Sequence, residues 1–398
     1  MGIIKSLTRK RRKKESFFKY IMAVGHLWLG LLSSVILFVV CLTGSLYAFK
    51  NQIIDAYNSD KVYVEPVESR LSLDSIQSIF RYNNMEINTI IVPKSKNKSL
   101  VVTYNDKVTN TSKTHYFNPY TADNLGGANN SLDQFFAVVL DIHRTLLIND
   151  IGKQIVGISV LIFVFMLLSG FVLWIPKKTK DLKRALTVKW NAKFYRLNYD
   201  LHNTLGFYSL LLLFFIAVTG LYVTYPWVKS SVIVSLGGNP VLTAGDAQSD
   251  NDEISSAFSD LLKEMADKQN EIATLKDITP VSLDSINMLS YKYLPYEAST
   301  IFTLPDDKDP RYKVRKINTE NWLGAQFPDE ITLDKKGELK TVDLFSEKPL
   351  NKQFAELSKP LHTGEIMGLP SIILYFIISL VGCSLPVTGF IIWWKKVK

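Results

Sequence analysis

Four apolar stretches, each long enough to cross a lipid bilayer, constrain this chain more than any other feature. They lie near residues 21–49, 154–175, 204–227 and 369–394, and none carries an acidic or basic residue in its central part. A membrane-spanning helix needs about 20 mostly apolar residues. The mean hydropathy is only slightly positive, so the chain is expected to combine several spans with sizeable polar regions.

Lysine and arginine residues predict how these spans are oriented. Residues 5–19 hold eight basic residues and one acidic residue, and so do residues 177–196. The chain ends in the basic sequence KKVK. Basic segments favour the cytoplasmic side of a membrane, and these three segments alternate correctly with four spans. We therefore expect a multi-pass protein of the bacterial inner membrane with both termini in the cytoplasm.

The composition also bears on partners and cofactors. The formal net charge of +9 would suit nucleic-acid binding, but topology explains all three basic segments at once. The expected partner is therefore the lipid bilayer, and no nucleic acid. The two cysteines, Cys41 and Cys383, fall inside spans, which argues against a cysteine-ligated iron–sulfur cluster.

These observations divide the chain into nine segments. They are a basic cytoplasmic N-terminus (1–20), a first span (21–50), a first exported module (51–133), an outer histidine segment with the second span (134–176), a basic cytoplasmic loop (177–200), a third span (201–227), a second exported module (228–358), an outer histidine segment with the fourth span (359–394) and a cytoplasmic tail (395–398).

The two exported regions resemble each other. Both contain the pentapeptide SLDSI, in which Ser72 and Ser282 are expected to cap short helices. Strand-like runs follow, INTIIV and SLVVTY in the first region and STIFTL and RYKVRKI in the second. A turn-rich YFNPYTADNLGG closes the first, and a hairpin around Lys336-Gly337 closes the second. Each region is thus predicted to be an α+β module, the second with a polar, helix-prone insert near 250–278.

The spans repeat as well. His26 to Gly44 and His202 to Gly220 are each 18 residues apart, whereas His143 to Gly170 and His362 to Gly389 are each 27 residues apart. The predicted fold class is therefore an α-helical membrane protein with two extracytoplasmic α+β modules. Its four-helix transmembrane core would come from two parallel repeats. The glycines are interpreted as small residues that let helices approach closely.

Four of the five histidines lie near the starts of the four spans, one histidine for each span. A single histidine there has a simple explanation as an interfacial residue, but four in a duplicated spacing favour a function, because ionisable residues at membrane depth are costly. The predicted topology places His26 and His202 on the cytoplasmic side, and His143 and His362 on the outer side. Each side therefore holds two imidazoles from two different helices.

Two facing imidazoles in a helical bundle suit the axial positions of one haem. The four histidines are thus predicted to bind iron in two b haems, separated by roughly 27 Å, the rise of 18 helical residues. A zinc site would need more ligands close together. Arg144 could pair with a haem propionate, and Glu365 could orient an outer imidazole, although both also suit solvated interfacial positions. His115 is expected to pack within its module or to face solvent.

The motifs GHLWLG, LHRTLL, SGFVLW, LHNTLGFY, TGLY, LHTGE, GLP and TGFIIW together resemble the PepSY-associated transmembrane proteins, also called iron-regulated membrane proteins. The match spans nearly the whole chain. One departure is Leu27, where the family usually has an arginine after the first histidine. The resemblance implies PepSY-like modules in the periplasm and a role in iron acquisition, since some members are similar to ferric-siderophore reductases.

The expected function is transmembrane electron transfer that reduces a periplasmic iron(III) chelate, such as a ferric siderophore. The chain has no Rossmann G-x-G-x-x-G and no P-loop signature, so a cytoplasmic flavin or NAD(P)H reductase, or a quinol, would have to supply the electrons. No residue is singled out as catalytic. The alternative is a non-enzymatic, membrane-anchored regulator or peptidase-interaction protein. A transporter is a third possibility, weakened by the absence of charged residues in the middle of the spans.

Overall fold

The computed structural model describes residues 11, 15–67, 69–240, 278–306 and 309–397. Most of the predicted insert near 250–278 and of the basic N-terminal segment lies outside the described residues. The helices are α1 (Phe17–Ala48), α2 (Lys50–Tyr57), α3 (Ser59–Val62), α4 (Leu73–Tyr82), α5 (Asn130–Thr145), α6 (Asn149–Trp174), α7 (Leu182–Ala185), α8 (Phe194–Thr224), α9 (Pro226–Ser235), α10 (Leu283–Tyr293), α11 (Leu350–Thr363) and α12 (Leu369–Val397). The strands are β1 (Met85–Val92), β2 (Leu100–Asp106), β3 (Thr111–Phe117), β4 (Asn124–Gly127), β5 (Thr300–Thr303), β6 (Tyr312–Asn318), β7 (Phe327–Leu333) and β8 (Leu339–Asp343). Single 3-10 turns occur at Thr179–Asp181, Phe345–Glu347 and Glu365–Met367.

The chain forms two compact units. The first, here called the membrane unit, comprises Met1–Asn51, Ser131–Val232 and Glu356–Lys398. The second, the sheet unit, comprises Gln52–Asn130 and Ile233–Ala355.

Four helices of the membrane unit, α1, α6, α8 and α12, are long and apolar enough to cross a membrane among the residues described. This confirms the four predicted spans, and the chain is a membrane protein. Helix α1 packs against α6 and α12, and α8 packs against the same two helices, so α1 and α8 lie diagonally across the bundle. Buried apolar side chains pack together in the interior of the bundle, namely Leu37, Phe163, Leu167, Leu213 and Ala217.

A break in the chain precedes both α6 and α12. Leu146, Leu147 and Asn149 have positive φ values, a conformation that costs free energy for residues with a side chain. Before α12 the corresponding break uses Gly364 and Gly368, with φ of 83° and 68°. The predicted ends of the exported modules, 133 and 358, fall inside α5 and α11. Both helices carry many polar residues, so their sequences read like parts of a module rather than parts of a span.

The described strands of the sheet unit form one antiparallel sheet in the order β4-β3-β2-β1-β5-β6-β7-β8. The two predicted modules are therefore halves of a single sheet, joined where β1 pairs with β5 between Thr89↔Thr303 and Val92↔Thr300. The predicted strand runs and the hairpin at Gly337 are confirmed. The segment interpreted as turn-rich contains the end of β3 and all of β4.

The two helices that begin at SLDSI are capped in a reciprocal manner. The hydroxyls of Ser72 and Ser282 accept hydrogen bonds from backbone N–H groups three residues later, at 3.1 and 3.2 Å, which confirms both predicted N-caps. The Asp74 carboxylate accepts from the N–H of Leu283, and the Asp284 carboxylate accepts from the N–H of Leu73. Each helix therefore supplies an acid to the positive end of the other, where a carboxylate is stabilising.

Lys316 on β6 is fully buried in the sheet unit. Its ammonium group donates to the carbonyl oxygens of Leu294 and Tyr296, at 2.9 and 3.2 Å, and lies 3.5 Å from the centre of the Tyr291 ring. Burial lowers the pKa of Lys316 from 10.5 to about 8, because removing the charged form from water is costly.

This lowered pKa predicts a pH-dependent stability. Between pH 8 and 10.5 the unfolded chain holds more protons at Lys316 than the folded chain does, so the free energy of unfolding rises with pH in that window. We expect the melting temperature of the wild type to rise relative to that of Lys316→Met as the pH is raised from about 8 to about 10. Lys292→Met, which removes an exposed lysine of α10, is the matched control. An identical pH dependence for wild type and Lys316→Met would contradict the prediction.

Candidate functional site

The first histidine pair lies inside the membrane unit, on diagonally opposed helices. His26 is on α1 and His202 is on α8. Their ring centroids are 6.4 Å apart and their planes are inclined at 88°. The structure thus brings together two imidazoles that are distant in sequence, as the predicted pairing requires.

The second pair lies just before α6 and α12. His143 is in the last turn of α5 and His362 is in the last turn of α11. Their ring centroids are 6.2 Å apart, with an interplanar angle of 51°. The membrane unit therefore holds two histidine pairs, each contributed by two different helices.

Both centroid distances suit two imidazoles bound on opposite sides of one metal ion. A metal–imidazole nitrogen bond is about 2.0–2.1 Å long and the nitrogen lies about 1.1 Å from the ring centre, so two imidazoles on opposite sides of one metal place their ring centres about 6.2–6.4 Å apart. The observed distances, 6.4 and 6.2 Å, fall within this range.

At the first pair, a hydroxyl group lies within hydrogen-bond distance of one ring nitrogen of each histidine. The Nδ1 of His26 lies 2.9 Å from Ser169 Oγ, and that of His202 lies 2.8 Å from Thr388 Oγ1. Each hydroxyl donates its own proton to a backbone carbonyl, of Met166 or Ser384. The hydroxyl oxygen is then left to accept from Nδ1–H, which leaves Nε2 unprotonated and able to bind a metal.

At the second pair, backbone carbonyls fix the same tautomer. The Nδ1 of His143 lies 2.9 Å from the carbonyl oxygen of Val40, and that of His362 lies 3.0 Å from the carbonyl oxygen of Ile216. A carbonyl can only accept, so Nδ1 must carry the proton and Nε2 is free. The hydroxyls of Thr43 and Thr219 lie near the same nitrogens, at 3.3 and 3.2 Å.

Every one of these four histidines lies against a glycine of another helix. A Cβ atom added to Gly44 or Gly220 would lie 3.0 or 2.9 Å from Cε1 of His143 or His362. The same atom on Gly170 or Gly389 would lie 3.2 or 3.3 Å from Cε1 of His26 or His202. The interpretation of these glycines as small residues at helix contacts did not predict that each would lie against an imidazole. The equal His-to-Gly spacings, 18 and 27 residues, are the signal that could have found it.

The separation of the two histidine pairs can be estimated along helix α1, which contacts both of them. His26 is on this helix, and the imidazole of His143 contacts Val40 and Gly44 of the same helix. Those contacts lie 14 to 18 residues beyond His26, which corresponds to roughly 21–27 Å along the helix axis. The two pairs are thus at different depths of the bundle.

The two supporting residues named from the sequence lie at the second pair. Glu365 accepts hydrogen bonds from Asn51 Nδ2, at 2.6 Å, and from the Thr363 hydroxyl, at 3.1 Å. Arg144 is exposed beside His143. The Nδ1 atoms of the outer histidines have the backbone carbonyls and threonines described above as their partners. The roles expected of Glu365 and Arg144, orienting an imidazole and binding a propionate, therefore stay predictions.

His115 is separate from these pairs. It lies on β3 of the sheet unit, where its Nδ1 is 3.1 Å from the Tyr104 hydroxyl and 3.2 Å from Asn124 Oδ1. Of the two expectations for this histidine, packing within its module or facing solvent, the structure shows packing against Tyr104 and Asn124.

Comparison with known proteins adds one match. The family model described as the PepSY-associated TM region matches residues 24–396, a range that includes both histidine pairs and all of the four spanning helices except the start of α1 and the last residue of α12. A search of curated proteins found no match.

Proposed function

The chain belongs to the PepSY-associated TM region family, and we propose that it is a di-haem b protein of the bacterial inner membrane that moves electrons to an exported iron(III) chelate. The observation that carries this proposal is the presence of two separate pairs of imidazoles in the membrane unit. Each has a centroid distance close to that of trans ligands on one metal, and each ring has its Nδ1 proton bound.

The residues present fit haem b at both positions. His26 and His202 would hold one haem, and His143 and His362 would hold the other. When bound, haem supplies a one-electron iron(III)/iron(II) couple whose potential depends on the axial ligands and their hydrogen bonds.

The chain's own residues prepare these positions before any cofactor binds. Ser169 and Thr388 hold the imidazoles of the first pair, and the carbonyls of Val40 and Ile216 hold those of the second. Ligands oriented in this way do not have to be ordered on binding, which increases affinity. Leu37, Phe163 and Leu213 pack in the bundle interior and exclude water there.

The substrate and donor follow from the family and from the proposed topology. With the basic segments in the cytoplasm, the His26/His202 pair faces that side, where a flavin or NAD(P)H reductase, or a quinol, would be the donor. An iron(III) chelate, such as a ferric siderophore, would accept one electron on the other side. Iron(II) binds hard oxygen ligands less tightly than iron(III) does, so the metal would then leave the chelate. The four-helix core would be a parallel duplication of one span–module–span unit.

The test is a visible spectrum of the detergent-purified full chain, produced with a sufficient supply of haem. We expect a b-type difference spectrum, dithionite-reduced minus oxidised, and about two haems per chain. One haem per chain would contradict the assignment of both pairs. A colourless protein would overturn the proposal and favour the membrane-anchored regulator instead.

A further inference from the structure

The turn between β6 and β7 presents two neighbouring apolar side chains outside the fold. Trp322 is 92% exposed, more than any other large hydrophobic residue in the described part of the chain, and Leu323 is exposed beside it. Single exposed apolar residues are common, but tryptophan is highly buried on average. An adjacent tryptophan and leucine at the tip of a turn are therefore a candidate contact for a partner outside the sheet unit.

The turn is held in one shape by the side chain of Asn321. Its Nδ2 donates to the carbonyl oxygen of Ala325 at 2.7 Å, and its Oδ1 accepts from the N–H groups of Leu323 and Ala325, at 3.2 and 2.9 Å. Ala325 is itself buried, which anchors the turn in the sheet unit. A preformed turn loses little conformational entropy when its exposed side chains are bound.

Other exposed apolar residues lie at the same end of the sheet. Strands β1, β3 and β6 run in the same direction, so the turns that follow them lie at one end. Tyr63 bridges Lys98 of the β1–β2 turn, and the segment after Tyr63 crosses this end as far as Leu71, whose N–H binds the carbonyl oxygen of Pro119 in the β3–β4 turn. Tyr63 and Val67 of this segment are both exposed.

The chain also connects to spanning helices at this end of the sheet. Val62, next to Tyr63, follows Ala48, the last residue of α1, by 14 positions, of which the eight of α2 and the four of α3 are helical. Such a segment spans at most about 25 Å. Strand β8 also ends here, where Asp343 pairs with Glu330 of β7, and the chain continues into α11 and α12. This end is thus tethered to helices that cross the bilayer.

We propose that the β6–β7 turn inserts Trp322 and Leu323 into the headgroup region of the lipid bilayer, as a contact additional to the four spans. Tryptophan is enriched at membrane–water interfaces because its ring is apolar and its N–H still reaches polar groups. The tether gives this end of the sheet a high effective concentration at the membrane, so a small apolar contact suffices. Glu320, exposed at the start of the turn, keeps the insertion shallow.

The test follows tryptophan fluorescence of the full-length protein reconstituted in phosphatidylcholine vesicles. One set of vesicles carries bromine near the headgroup end of the acyl chains, where it quenches only fluorophores that contact lipid. The chain has seven tryptophans, so the signal of Trp322 is obtained as wild type minus Trp322→Phe. We expect this difference signal to be blue-shifted relative to tryptophan in water and to be largely lost in the brominated vesicles.

A tryptophan at the opposite end of the sheet is the matched control. Val108 lies in the turn between β2 and β3 and is 78% exposed. In the Trp322→Phe background, Val108→Trp should give a signal that brominated lipid leaves unchanged and that acrylamide, a water-soluble quencher, removes. Melting temperatures equal to that of the wild type establish that both variants are folded.

Three results would overturn the proposal. A Trp322 signal that acrylamide quenches and brominated lipid does not would show that the turn faces water. A signal that neither quencher reaches would show that protein covers the turn, and a second copy of this chain would then be its partner. Equal quenching by brominated lipid at positions 322 and 108 would show that lipid contact is not specific to this end. None of these measurements depends on haem, so their outcome is separate from that of the proposed function.

Discussion

Replacing His202 by alanine is expected to lower the haem content of the purified protein from about two to about one per chain. His26 alone would then be left to hold that haem, whereas His143 and His362 lie elsewhere in the bundle and keep their hydrogen bonds. His362→Ala should remove the other haem, and the double variant should be colourless. Haem per chain and the reduced-minus-oxidised spectrum are the measurements.

His115→Ala is the matched control for this experiment. It removes the one histidine that lies in the sheet unit, bound to Tyr104 and Asn124, and it should leave haem content and spectrum unchanged. If His202→Ala kept both the haem content and the spectrum of the wild type, the assignment of the first pair would be wrong. A loss of both haems from His202→Ala with an unchanged melting temperature would show that the two positions are not independent.

Replacing Gly220 by alanine is expected to remove the haem from the His143/His362 pair and to leave that of the other pair. The added Cβ would lie 2.9 Å from Cε1 of His362, which is closer than carbon atoms approach without repulsion. The ring is held by the carbonyl of Ile216, so relief of the contact requires that the imidazole leave its bound position. Haem per chain, measured separately in the presence of His202→Ala, reports on this pair alone.

Gly206→Ala, on the same helix, is the matched control. Its Cβ would have Leu385 Cδ2 as the nearest atom, at 3.6 Å, an ordinary contact. Alanine favours a helix over glycine by about 1 kcal/mol, so both variants should strengthen α8, and a loss of haem in Gly220→Ala cannot come from a weaker helix. Full haem content in Gly220→Ala would contradict the role given to this glycine.

Several features could be read directly from local sequence. An apolar run of sufficient length gives a span whatever it packs against, and a serine before an amphipathic segment caps a helix because its hydroxyl reaches the N–H three residues later. The runs at 87–92 and 99–104 are rich in β-branched residues and form strands. These features depend on residues close together in the chain, and the structure confirms them.

The partners of the functional side chains could not be read in this way. The repeat and the positions of the basic segments paired the histidines, but nothing local indicated that Ser169 and Thr388 would bind two of them and that backbone carbonyls would bind the others. His202 and Thr388 are 186 residues apart in the chain. Such contacts depend on which helix faces meet in the bundle.

The class of protein, the four spans and the histidines at their ends follow from the sequence alone, because hydrophobic length and duplicated spacing are properties of the chain. The tertiary structure adds that the two modules share one sheet and that each imidazole lies against a glycine. These outcomes are set by the packing of segments that are distant in the chain, which no local pattern indicates.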